Sequence, residues 1–207
     1  TGKAWFKVPA AIRVELTGSL RRPVSGKDVI LHLIGLIGVS GALYKSLEFI
    51  GPGVDELSVD FRGGIDVMTT ETTCLSSVWR TDKKVRRYLQ IHGRGDDYRE
   101  LEPYNGALYD GAITIELDKI RSMIALPFHP SNVFTIDEFT ANAGDILNEL
   151  GLTSDDIRSK ITSEGVRAEQ GIIAGCSGGT FENLTTVAAM LAGTDLTYGH
   201  FQMSAYP

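Results

Sequence analysis

The sequence is poor in cysteine and has no long hydrophobic run. Its 207 residues include two cysteines, Cys74 and Cys176, too few for the disulfide framework of a small secreted domain. We therefore expect a reducing environment and a cytoplasmic location. No apolar stretch approaches the roughly 20 residues that a helix needs to cross a bilayer, so the sequence predicts no association with a membrane.

Positive charge is also scarce, because 20 Lys and Arg face 26 Asp and Glu, for a formal net charge of −6. A nucleic acid is therefore an unexpected partner, since binding its phosphates requires clustered cations. One stretch, residues 83–94, is basic, with Lys83, Lys84, Arg86, Arg87 and Arg94. It either faces a phosphate or polyacid ligand or forms the solvated face of a helix that buries Val85, Tyr88 and Leu89.

Strand and helix patterns alternate along the chain. Strand patterns occupy residues 11–16, 46–51, 74–79, 112–117 and 171–176, and the end of the sequence, HFQMSAYP, also has the pattern of a strand. Helix patterns occupy residues 57–73, 83–91 and 135–161. Ser25 and Asp28 predict a capping box, and Thr180 predicts the start of a last helix with an apolar stripe. This alternation predicts an α/β fold with a parallel or mixed sheet, divided near residues 130–150.

The segment GIIAGCSGGTFENL, residues 171–184, places Cys176 in a glycine-rich corner between a strand and a helix. The carboxyl ends of parallel strands are where open α/β sheets bind ligands, and a helix N-terminus favours the thiolate. Three roles stay open for Cys176: nucleophile, metal ligand, or small residue in a crowded turn. The spacing matches neither a nucleotide-binding glycine loop nor a hydrolase elbow.

A second candidate is Glu71, which lies among small polar residues in DVMTTET. Its carboxylate is suited to acid–base chemistry or to a metal site, or it is an ordinary surface glutamate of a helix. The four histidines, His32, His92, His129 and His200, have no partner at helical spacing and do not predict a zinc site. Cys74 has no partner in the sequence either.

Four stretches occur in an order that resembles the aconitase superfamily, which includes aconitate hydratase, homoaconitase and the isopropylmalate dehydratase large subunit. They are WFKVPAAIRVELTGSL, SGKDVILHLIG, LEFIGPGVDELSVDFRGGIDVMTTETT and IIAGCSGGTFENL, and the resemblance covers nearly the whole chain. It implies two three-layer α/β/α blocks, residues 1–135 and 136–207, the second truncated at Pro207. It also implies that the chain is an internal segment of a hydro-lyase and is inactive by itself.

The resemblance gives Cys176 and Glu71 specific roles. In the family, the matching cysteine is one of three ligands to a 4Fe–4S cluster whose open iron acts as a Lewis acid. The glutamate contacts the leaving hydroxyl or the iron-bound water, and a serine base comes from the C-terminal domain. This chain departs from the family at two positions: Val67 and Gly178 replace asparagines. The other cluster ligands would lie beyond Pro207, so no cofactor is expected in this chain alone.

Two functions follow from these observations. In the first, the parent protein is an aconitase-like hydro-lyase that acts on a small di- or tricarboxylic hydroxy acid. Its partners are that substrate and the remaining domains of the same chain. In the second, the parent has lost the cluster and is a binding or regulatory module, which the residues at 67 and 178 favour because neither can replace an asparagine amide.

Overall fold

Strands and helices alternate along the part of the chain, residues 2–195 and 201–206, that the computed structural model describes; His200 lies outside it. The strands are β1 (Ala11–Thr17), β2 (Ser46–Ile50), β3 (Ser76–Trp79), β4 (Gly111–Glu116), β5 (Met123–Ala125), β6 (Val133–Thr135), β7 (Ile161–Thr162), β8 (Gly165–Val166), β9 (Gln170–Ile173) and β10 (Gln202–Ala205). The helices are α1 (Gly26–Ile37), α2 (Gly53–Glu56), α3 (Val59–Met68), α4 (Lys83–Ile91), α5 (Ile136–Glu149), α6 (Asp155–Ser159), α7 (Gly175–Gly178) and α8 (Phe181–Leu191).

Four strands form one parallel sheet in the order β3–β2–β1–β4. In the central strand β1, Val14 pairs with Phe49 of β2 on one side and with Ile113 of β4 on the other. Val14 and Leu16 are completely buried, as expected for a parallel sheet that helices cover. The α/β fold predicted from the sequence is confirmed.

Helix α1 begins with the capping box that the sequence predicted. Asp28 Oδ2 accepts hydrogen bonds from the backbone N–H of Ser25 at 2.7 Å and from its hydroxyl at 3.0 Å. The other oxygen, Asp28 Oδ1, accepts from the backbone N–H of Met123 at 2.7 Å. One buried carboxylate therefore starts α1 and also attaches β5 to it.

Two hydrophobic clusters are present in the described ranges. The first surrounds the four-stranded sheet and includes the apolar side of α1, with Val29, Ile30, Leu33 and Ile34 fully buried. The second lies between α5 and the β5–β6 hairpin, where Leu126 and Phe139 are among its members. The division of the chain at residues 135 and 136 stays a proposal, because the second cluster contains residues from both sides of that point.

Three predicted elements differ from the observed ones. The helix predicted for residues 57–73 consists of α3 followed by a 3₁₀ turn, Thr69–Thr72. The helix predicted for residues 135–161 is wrong as a single element, because Gly151, with φ +72°, follows the end of α5 and Ser154 caps α6. The strand predicted for residues 171–176 ends at Ile173, since the chain turns at Gly175.

The last part of the chain contains a two-stranded parallel sheet, β9 with β10, in which Ile172 pairs with Ser204. The predicted apolar stripe of α8, Leu184, Val187 and Leu191, is half-buried, and no described residue of α8 is fully buried. Helix α8 therefore packs less closely than α1. Across the described ranges, every helix is too short or too polar to cross a membrane.

Candidate functional site

The corner after β9 exposes one cysteine and buries the next residue. Gly175 has φ +79°, a left-handed conformation that favours glycine, and it starts the one-turn helix α7. Cys176 is exposed, whereas Ser177 is only 7% exposed. The turn therefore directs the thiol to solvent and the neighbouring hydroxyl into the protein.

Ser177 joins three distant parts of the chain. Its hydroxyl donates to the carbonyl of Gly64 in α3 at 3.1 Å and accepts from Lys27 Nζ in α1 at 3.1 Å. Its own carbonyl accepts from Asn183 Nδ2 in α8 at 3.1 Å. A Cβ atom at Gly64 would lie 3.4 Å from this carbonyl oxygen. A side chain at this position would make ordinary van der Waals contact with the cysteine corner, so the approach of the two segments does not require a glycine.

Lys27 interacts with both residues that the sequence singled out, Cys176 and Glu71. Its ammonium is 3.1 Å from Ser177 Oγ and 3.0 Å from Met68 Sδ, and it interacts electrostatically with both Cys176 and Glu71. Burial lowers the pKa of Lys27, although the residue as a whole is exposed, and the charges of Cys176 and Glu71 partly oppose that shift. Cys176 and Glu71 therefore share one cationic neighbour.

Glu71 has a second neighbour, His129, from the loop between β5 and β6. Glu71 Oε2 lies 3.8 Å from His129 Nε2, and the Glu71 side chain is 42% exposed. The backbone N–H of Ser131 donates to His129 Nδ1 at 3.0 Å. Because Nδ1 is an acceptor, the neutral imidazole carries its proton on Nε2, the nitrogen that faces Glu71.

Contacts between α3 and α8 hold this region together. The Ser58 hydroxyl, which also caps α3, donates to Glu182 Oε2. The backbone N–H of Glu182 donates to Asp60 Oδ2 at 2.9 Å. The starts of α3 and α8 are thereby fixed to each other, next to the corner that contains Cys176.

The donor atoms of this region can supply one ligand to an iron–sulfur cluster but not a complete set. No three side chains of His, Cys, Asp or Glu within residues 2–195 and 201–206 are grouped so as to hold a metal ion. Cys176 fits as a single ligand because its sulfur is exposed at a turn. Gly178 has open space around its Cα, and neither it nor Val67 has a side chain that could hydrogen-bond to a ligand.

His32, His92 and Cys74 lie apart from this site. Cys74 Sγ is 3.3 Å from the carbonyl of Thr69, and Cys74 packs against the first hydrophobic cluster. His32 is half-buried in α1, and burial lowers its pKa. His92 Nδ1 lies 2.8 Å from the carbonyl of Tyr88 in its own helix.

Basic side chains of residues 83–94 form polar contacts with a nearby backbone carbonyl and a nearby carboxylate. Lys84 Nζ donates to the carbonyl of Asp55 at 2.5 Å, and Arg94 Nε pairs with Asp97 at 2.7 Å. Val85 and Leu89 are half-buried as predicted, but Tyr88 is 39% exposed. These residues are not part of the site, although Lys83, Arg87 and Tyr88 line a cleft of about 1700 Å³ between α4 and α8.

Sequence reasoning did not identify Lys27, Ser177 or His129. In the sequence, Lys27 is simply a lysine within a capping box, and Ser177 is simply one small residue of a glycine-rich turn. The phenylalanine and proline beside His129 marked a loop, PFHP. No local pattern signals any of the three, because their significance comes from contacts between residues far apart in sequence.

Comparison with known proteins shows which family the sequence resembles. The model of the aconitase family (aconitate hydratase) matches residues 1–207. The 2,3-dimethylmalate dehydratase large subunit of Eubacterium barkeri is 39% identical over 199 residues, which cover 96% of this chain and 42% of that protein.

The 3-isopropylmalate dehydratase large subunit of Lachnoclostridium phytofermentans is 38% identical over 96% of this chain and 41% of that protein. That of Clostridium kluyveri is 39% identical over 93% of this chain and 40% of that protein. The chain spans about two fifths of the length of these relatives. With a match over its full length and relatives of this similarity, the chain belongs to the aconitase family.

Proposed function

We propose that the chain is an internal segment of a hydro-lyase that adds or removes water at a small hydroxy dicarboxylic or tricarboxylic acid. Two kinds of relative, named for 2,3-dimethylmalate and 3-isopropylmalate, support a malate-type dicarboxylate as the substrate. The observation that carries the proposal is the common neighbour, Lys27, of Cys176 and Glu71. Such a reaction requires two groups from this segment, a thiolate and a carboxylate that lie close to each other.

In this proposal Cys176 supplies one ligand to a 4Fe–4S cluster, and the other ligands come from outside the described residues. Such a cluster supplies a Lewis acid that polarises the C–O bond of the substrate. Glu71 exchanges a proton with the departing or attacking water, for which its partly exposed carboxylate is accessible. His129 Nε2 lies 3.8 Å from this carboxylate, beyond hydrogen-bonding distance, so the histidine is a neighbour of Glu71 rather than a direct hydrogen-bond donor to it. The segment by itself is inactive because it lacks the remaining ligands and the base.

The partners of the segment follow from the same proposal. They are the remaining domains of its own chain and a small carboxylate substrate. The relatives are named large subunits, so we also propose a smaller companion subunit. We further propose that the protein works in the cytoplasm, where its two cysteines remain reduced.

A second function is favoured by one observation, the replacement of two family asparagines by Val67 and Gly178. Hydrogen bonds from neighbouring residues to the ligands of a metal tune the metal site, and their loss weakens metal binding. The alternative is therefore an aconitase-like protein that has lost the cluster and acts as a binding or regulatory module.

Anaerobic reconstitution of the full-length protein with iron and sulfide separates the two functions. We expect a coloured protein that binds iron and hydrates or dehydrates a malate-type dicarboxylate. Cys176→Ser should abolish the colour and reduce bound iron, whereas the control Cys74→Ser should retain both. A wild-type protein that stays colourless and inactive after reconstitution would support the binding module and contradict the hydro-lyase.

A further inference from the structure

The ammonium of Lys27 has hydrogen-bonding capacity that its direct neighbours do not use. It carries three N–H donors, and among residues 2–195 and 201–206 it donates hydrogen bonds to the Ser177 hydroxyl at 3.1 Å and to the Met68 thioether at 3.0 Å. Both partners are neutral, and sulfur is a weak acceptor. A cation in such surroundings has a positive charge available for an additional anion.

The position of the ammonium is fixed by Ser177. The Ser177 hydroxyl donates its single proton to the carbonyl of Gly64, so its lone pairs are left to accept from Lys27. Ser177 is buried and directly follows Cys176 in the chain. The cation is therefore held at a constant place relative to the thiol, on a hydroxyl that cannot rotate away without losing its own bond.

Partial burial makes this cation effective in binding an anion. Charges interact more strongly where water is excluded, and the Lys27 ammonium is partly desolvated by the protein around it. The two groups of the described chain that interact electrostatically with Lys27, Cys176 and Glu71, have other tasks in the proposed reaction. A carboxylate of the substrate is the anion that remains for Lys27.

We propose that Lys27 binds one carboxylate of the dicarboxylate substrate next to Cys176, with Ser177 holding its ammonium in position. This inference rests on the proposed hydro-lyase function and specifies its substrate-binding site. It predicts that Lys27 discriminates between a malate-type dicarboxylate and its monocarboxylate analogue, because only the former has a second carboxylate to place at the ammonium.

The test measures binding of 3-isopropylmalate to the reconstituted full-length protein by calorimetry, and KM and kcat where turnover occurs. Lys27→Met should weaken binding by about 10- to 100-fold, the usual effect of losing a charge-assisted hydrogen bond. Lys27→Arg should retain more affinity than Lys27→Met. The matched control is Lys83→Met, which removes a lysine from the first turn of another helix and should bind like the wild type.

Two further measurements separate ligand binding from a merely structural role. The melting temperature of the metal-free protein should be the same for Lys27→Met and wild type. The affinity for a monocarboxylate analogue should change far less than that for the dicarboxylate. A Lys27→Gln variant serves the same purpose if the methionine variant does not fold.

Each outcome has a definite meaning. If wild type binds the dicarboxylate and Lys27→Met binds it within about twofold, this inference is overturned while the hydro-lyase proposal stands. If both ligands lose affinity equally and the melting temperature falls, Lys27 is structural and the inference is also wrong. If wild type binds and converts no dicarboxylate, the proposed function fails, and this inference fails with it.

Discussion

The Glu71 carboxylate has two neighbours, His129 and Lys27, from separate elements of the fold. The sequence around it, MTTET, contains no group that would make it different from a surface glutamate. In the folded chain the carboxylate instead faces His129 Nε2 at 3.8 Å and lies within electrostatic reach of Lys27. Two cationic or proton-donating groups from separate elements thus keep an accessible carboxylate directed toward the site.

Replacement of Glu71 by Gln tests its role in proton transfer. The amide preserves size and can still contact His129, but it cannot take up a proton. In the reconstituted full-length protein we expect kcat to fall by about 10²- to 10⁴-fold, the usual contribution of a general acid–base group, with the cluster retained. The control is Glu149→Gln, at the exposed end of α5. An unchanged kcat in Glu71→Gln would exclude the carboxylate from the reaction.

Asp82 caps the N-terminus of helix α4 and also attaches this helix to α3. Asp82 Oδ1 caps the helix by accepting from the backbone N–H groups of Lys84 and Val85 at 2.9 and 3.0 Å. Asp82 Oδ2 forms an ion pair with Arg62 of α3 at 2.5 Å, with both side chains nearly buried. Burial alone would raise the pKa of Asp82, but the Arg62 contact and the two amides outweigh it and lower that pKa.

The lowered pKa of Asp82 predicts a dependence of stability on pH. Because the pKa of the folded state lies below that of the unfolded state, the ionised group stabilises the fold above the unfolded value. That contribution is lost as pH falls through the folded-state pKa. Asp82→Asn should lower the free energy of unfolding by about 3–5 kcal/mol at neutral pH, since it leaves Arg62 buried without its partner.

Urea unfolding at neutral pH and at acid pH measures this effect. The difference between wild type and Asp82→Asn should shrink as the pH falls below the ordinary aspartate value of 3.8. Asp137→Asn, which disturbs an exposed pair with Arg121 at 3.5 Å, should change the stability little at either pH. A constant difference across the acid range would show that the ionised carboxylate is not responsible.

Most elements were predictable from the sequence because their signals are local. Alternating apolar residues specified β1, and Ser25 with Asp28 specified the start of α1. The β5–β6 hairpin was missed, since its strands of three residues each are too short to show a period. The 3₁₀ turn after α3 was missed for a related reason, because a change of helix type leaves the spacing of residues almost unaltered.

Only some residues of the candidate site could be predicted from the sequence. Glu71 and Cys176 were candidates from their local sequence, and a resemblance that covers nearly the whole chain assigned them roles, which stay predictions. Lys27 and Ser177 could not be identified, because their hydrogen bond joins residues 150 positions apart. Contacts of this range depend on the packing of α1, α3 and α7, which no short sequence pattern encodes.

At the scale of the whole molecule, packing is uneven. The first hydrophobic cluster contains most of the fully buried side chains, including Leu16, Ile34 and Phe49. The second cluster is smaller, and its members retain some exposure. Helix α8 has no fully buried residue in its described part. We propose that the first cluster, the second cluster and α8 differ in local stability for this reason.

Hydrogen exchange followed by mass spectrometry tests this difference. Amides of β1 and β2 should exchange most slowly, because opening them requires unfolding of the first cluster. Peptides from α5 should exchange faster, and those from α8 faster still. Equal protection of β1 and α8 would contradict separate local stabilities and would indicate a single cooperative unit.

The bond between Lys27 and Ser177 also bears on the order in which the protein is made. Synthesis runs from the N-terminus, so every residue of the four-stranded sheet leaves the ribosome before Ser177 is added. The sheet can therefore collapse around its core while the lysine ammonium still lacks the hydroxyl that holds it. A nascent chain would therefore complete its four-stranded sheet before the contact between Lys27 and Ser177 can form.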